Sequence, residues 1–143
     1  MEESYIRWKT GDFPEDEYSL VKFIHETERD TNRTVFFLEN VPATYEIAVS
    51  TDGDILALSV CSELSRMHTI IAAQRNSGQK TLFRNWPLYE VINSKYTEWV
   101  ARESCLVYEP HDLKHYAIIT TDVVIDIVDT GIPRVSVRRI DIH

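Results

Sequence analysis

His115 and Asp126 are the side chains in this sequence best suited to acid–base chemistry. A carboxylate that orients an imidazole is half of many proton-transfer sites. The two residues sit in β-branched runs, 115–120 and 123–128, which read as a hairpin joined by Thr121-Asp122. With a two-residue turn, Ile118 opposes Ile125 and Tyr116 opposes Ile127, which makes one apolar face. His115 and Asp126 then lie on the other face as diagonal neighbours, roughly 7–8 Å apart at Cα and within side-chain reach. The commoner use of such a pair is a structural hydrogen bond, and the sequence sets no nucleophile beside it. A small enzyme or ligand-binding domain using His115 and Asp126 is therefore the alternative reading, and the balance leans against an enzyme.

The segment from His111 to His115 has the spacing that brings two imidazoles onto one helical face, with Cys105 or Asp112 as conceivable third ligands. Pro110 precedes it and His115 opens a strand, so the geometry is wrong for a metal and none is expected. The four glycines, at 11, 53, 78 and 131, cannot be written into a dinucleotide or P-loop phosphate cradle. The nucleophile elbow, the zincin helix and the zinc deaminase signature are missing as well. Asp52-Gly53-Asp54 lacks the other acidic ligands of a calcium loop and reads as a turn. No cofactor is expected.

The formal net charge is −8 over 143 residues. It is uneven: residues 1–40 carry ten acids against five bases, and residues 61–104 carry four against six. Glu15-Asp16-Glu17, after Pro14, is the densest acidic run; such a run is usually a solvated loop or the first turn of a helix. Trp86, beside Arg84 and Pro87, suits either packing at a loop or an exposed anchor in a protein interface. An acidic balance disfavours direct nucleic-acid binding and peripheral membrane attachment, which want excess Lys and Arg. The first functional expectation is thus a non-enzymatic acidic protein that binds a basic protein partner through Glu15, Asp16, Glu17 and Trp86. An inhibitor of a nucleic-acid-acting toxin, in the manner of an immunity protein or antitoxin, is a specific version. A homo-oligomeric structural or regulatory subunit is a further alternative.

Cys61 and Cys105 lie in or beside apolar runs and form no CxxC pair, which suggests free thiols in a reducing compartment. The start, Met1-Glu2-Glu3-Ser4, is acidic where a targeting segment would be basic. No apolar run approaches the roughly 20 residues of a membrane span. The expectation is a cytoplasmic protein with one domain over residues 1–143, since no repeat, linker or low-complexity tract divides the chain.

The elements that would position these residues are mainly strands. Residues 45–50 and 55–60 flank Asp52-Gly53, the preferred two-residue hairpin turn, and pairing Val49 with Leu56, Ile47 with Leu58 and Tyr45 with Val60 gives an all-apolar face. Residues 134–142 alternate as a further strand. The best helix runs over 94–104, with Asn93 or Ser94 as its cap and Tyr96, Trp99 and Val100 on one face, Trp99 in the core. Residues 88–93 fit either state. Within 14–28, strand is favoured for 18–25, because 34–38 follows the plausible turn Asp30-Thr31-Asn32-Arg33. Leu64, Met67, His68 and Ile71 fit a short helix, although 69–71 alone suits a strand. Together these make an α+β domain, a mainly antiparallel sheet built from hairpins with one or two helices packed on one face.

Overall fold

The computed structural model describes residues 2–29, 31–53 and 55–140. In chain order the strands are β1 (Ser4–Arg7), β2 (Tyr18–Glu28), β3 (Thr31–Asn40), β4 (Tyr45–Asp52), β5 (Ala57–Ser62), β6 (Leu88–Ile92), β7 (Lys114–Ile119), β8 (Val123–Asp129) and β9 (Arg134–Arg139). The helices are α1 (Met67–Ser77), entered through a 3₁₀ turn at Glu63–Arg66, and α2 (Lys95–Glu103). Two antiparallel sheets result, in the orders β1-β6-β7-β8-β5 and β2-β3-β4-β9. The α+β expectation holds at this level: mostly antiparallel strands, and two helices.

Alternation explains where the core sits. Phe36 and Leu38 of β3 stand opposite Val49 and Ile47 of β4, and these four side chains are at most 1% exposed. They join Leu88, Ile118, Ile125 and Ile127 of the other sheet in one apolar cluster. β7 and β8 are buried along most of their length, which is why both read as nearly unbroken apolar runs. α2 contacts both strands, and its Val100 and Ala101 pack with Leu113 and Val128.

The C-terminal hairpin forms in the expected register, Ile118 with Ile125 and Tyr116 with Ile127. Thr120 makes the Thr-Asp turn workable, because its hydroxyl accepts the Val123 N–H at 3.0 Å. β9 ends at Arg139, and the remainder of the expected 134–142 strand, beyond residue 140, lies outside the described residues.

The Asp52-Gly53 hairpin does not form. β4 pairs with β3 and β9, while β5 pairs with β8 in the other sheet. Gly53 (φ +94°) carries the chain from one sheet to the other, with its N–H on Asn32 O; Asp54, the last residue of that expected turn, lies outside the described residues. The apolar alternation holds on β4, where Ile47 and Val49 are buried in the shared cluster, but not around β5, where Val60 is exposed and Leu56 packs with Val128 in the smaller cluster. On β4 the period-two pattern identifies the buried face; it does not identify the neighbouring strand.

Residues 18–25 are strand, and that strand runs on to Glu28. Thr31, Asn32 and Arg33 already pair within β3, so they are not turn residues; Asp30 lies outside the described residues. Residues 88–92 are strand too, ended by Asn93 at φ +55°. Residues 67–77 are helix, but Leu64, Met67 and Ile71 face solvent while Ile70 and Ala73 are buried. Trp99 is 47% exposed on α2 and is not a core residue.

Candidate functional site

β7 and β8 supply the two residues that stand out in the sequence. His115 pairs with Val128 and Ala117 with Asp126, so His115 and Asp126 are diagonal on one face. The imidazole Nε2 lies 2.7 Å from Asp126 Oδ1. Both side chains are 97% buried or more.

Two further groups complete a chain that the sequence did not reveal. Arg66, from the 3₁₀ turn before α1, donates through Nη1 to Asp126 Oδ2. Ser94, the N-cap of α2, places Oγ 2.6 Å from His115 Nδ1. The same Oγ accepts the Thr97 N–H at 3.1 Å, the usual task of an N-cap serine. A carboxylate only accepts, so Nε2–H donates to Asp126. With Nε2 on the carboxylate and Nδ1 on the Ser94 hydroxyl, every polar side-chain group of the row Ser94–His115–Asp126–Arg66 has a partner.

Electrostatics agree with an ionised carboxylate. Burial pushes the Asp126 carboxyl up, but the hydrogen bond and charge of His115, with those of Arg66, outweigh it and hold the group below the ordinary carboxylate range. Arg66 is held more firmly cationic: burial opposes its charge, and the Asp126 hydrogen bond and charge prevail. Burial, followed by the negative charge of Asp126, raises the phenols of Tyr5 and Tyr96 above their usual value.

The row floors one side of a cleft of about 360 Å³. Tyr5, Ser59, Thr69, Lys95 and Tyr96 line it along with Arg66, and Glu3 lies at its edge. The Arg66 side chain keeps 22% of its surface open, against 2% for Asp126. Both imidazole nitrogens and both carboxylate oxygens are hydrogen-bonded inside the protein. Arg66 is the member of the row that faces outward. Ser94 was legible as a cap and Arg66 as a basic residue of a short helix; neither carried a signal of proximity to His115, which arises only from the sheet order.

The other residues singled out from sequence lie elsewhere. His111 sits on an exposed turn, 3.3 Å from both Glu109 and Asp112. That turn ends at Asp112 and His115 lies in β7, so the two histidines do not share a helical face. Glu15-Asp16-Glu17 is a loop before β2. Glu15 pairs with Arg7 at 2.7 Å, and Asp16 accepts from Asn40 Nδ2 at 3.1 Å. Trp86 is 8% exposed, stacked on Phe13 at 4.6 Å with the Arg7 guanidinium 5.7 Å over its ring. Asp16, Glu17 and Trp86 nonetheless border one second cleft, of about 380 Å³, alongside Glu63, Lys80 and Arg84. Cys61 and Cys105 are free thiols. Among the described residues, no helix is long and apolar enough to cross a membrane.

No family model, curated protein or solved structure matches this chain.

Proposed function

We propose that this protein binds a small polar molecule in the cleft at Arg66, the ligand-binding form of the His115–Asp126 reading. Asp126 and His115 act as positioning residues behind the arginine and transfer no proton to the ligand. One observation supports this most directly: the buried groups are fully engaged with each other, while the cation they hold lines an open cleft. A guanidinium fixed in advance loses less freedom when a ligand arrives.

Amide chemical shifts and thermal stability, followed during titration with small acids, amides and alcohols, test the proposal. At least one compound class is expected to move the amides of Tyr5, Arg66 and Tyr96 together and to raise the melting temperature. If no class perturbs those amides at millimolar concentration, the proposal is wrong.

A second reading, association with a basic protein partner such as a nucleic-acid-acting toxin, draws on the net charge of −8 and on Asp16, Glu17 and Glu63 bordering the cleft beside Trp86. Electrostatic steering of that kind weakens with salt. It predicts salt-sensitive capture of a cationic protein, reduced by Glu17→Lys; capture that ignores both salt and this reversal would exclude it.

A further inference from the structure

We infer that the group recognised in the Arg66 cleft is a carboxylate on a small ligand. This rests on the ligand-binding reading above and adds the chemistry of what is bound.

The cleft offers donors. Asp126 occupies one guanidinium nitrogen of Arg66 and the Cys61 thiol also bonds the group, which with five N–H donors in a planar fork keeps others for a carboxylate. The Lys95 ammonium and the hydroxyls of Tyr5, Thr69 and Tyr96 make no hydrogen bond to any described residue. Tyr5 is the telling case, since it is 93% buried with its phenol on the cleft wall. The acceptors are fewer and mostly engaged: both Asp126 oxygens are bonded, and Glu3 Oε2 accepts the Lys95 backbone N–H at 2.8 Å. An acceptor-rich group is what such a lining lacks.

Charge selects the kind of acceptor. Arg66 is paired with Asp126, and the one further cation and one further anion of the lining, Lys95 and Glu3, bring its formal charge close to zero. That suits one negative charge better than the −1.5 to −2 of a phosphomonoester at neutral pH. The rings of Tyr5 and Tyr96 provide apolar surface for the body of the acid. A volume of about 360 Å³ is at the small end of ligand pockets.

The experiment is a heteronuclear NMR titration of the intact chain with benzoate, benzamide and inorganic phosphate. Benzoate is expected to shift Tyr5, Thr69 and Tyr96 amides and to bind about tenfold more tightly than benzamide, a difference of about 1.4 kcal/mol. Arg66→Lys keeps the charge beside Asp126 but loses the fork, and should weaken benzoate by about tenfold. Lys95→Ala, at an exposed position, should weaken benzoate and leave benzamide unchanged; it serves if Arg66→Lys does not fold. Benzamide binding as well as benzoate, or phosphate binding more tightly than benzoate, overturns the carboxylate while leaving the ligand cleft standing. No binding by any probe overturns both.

Discussion

His115 Nε2 and Asp126 Oδ1 meet at 2.7 Å across the β7–β8 ladder, where both side chains are almost wholly buried. The contact ties a strand pair to α2 through Ser94 and to the turn before α1 through Arg66. A buried charge of this kind is costly when one partner is deleted, because the other is left without compensation.

Asp126→Ala should therefore destabilise the fold by about 3–5 kcal/mol, since it leaves Arg66 and His115 facing an empty site. His115→Ala should cost less, about 1–3 kcal/mol, because Arg66 still holds the carboxylate. Urea unfolding monitored by circular dichroism gives both values, and the reverse order would contradict the arrangement described here.

Acid should reveal the same carboxylate. Its folded pKa lies below the ordinary value of 3.8, so its contribution is fully present above that value and is lost as pH falls through the folded pKa. The urea midpoint is expected to drop below about pH 4, and Asp126→Asn should flatten part of that drop. An unchanged acid limb in the variant would show that other carboxyls govern it.

Ser94→Ala removes a helix cap and the partner of His115 Nδ1 in one step. The expected loss is about 1–2 kcal/mol, with Ser94→Thr retaining most of the stability because it keeps the hydroxyl. A thermal melt of both variants distinguishes a capping role from simple packing, which would penalise the bulkier threonine more.

Gly11→Ala tests a different contact. Gly11 has φ +80°, and a Cβ there would stand 3.0 Å from Val137 Cγ2 on β9. Left-handed backbone costs an L residue roughly 1–2 kcal/mol before any steric term. The variant should melt measurably lower than wild type, whereas Gly131→Ala, whose added Cβ meets nothing within 4 Å, should be nearly neutral.

Much of this fold was legible where local chemistry decides. The β7–β8 register followed from alternation around a two-residue turn, and the α2 cap followed from the placement of Ser94. The Asp52-Gly53 hairpin misled because turn propensity and an apolar stripe are both local, while β4 and β5 found better neighbours in β9 and β8. The outward stripe of Leu64, Met67 and Ile71 misled for a related reason. Helical spacing does not say which face is buried, and here Ile70 and Ala73 are.

The candidate site divides along the same line. By itself the sequence determined that His115 and Asp126 would be diagonal, because a strand alternates its side chains and a short turn sets the pairing. Only the tertiary structure decided that Ser94 and Arg66 close the row. They lie 21 residues before His115 and 60 before Asp126, and they arrive through a five-stranded sheet whose order is not its chain order. Long-range placement depends on which surfaces bury one another, a property of the whole chain that no short window contains.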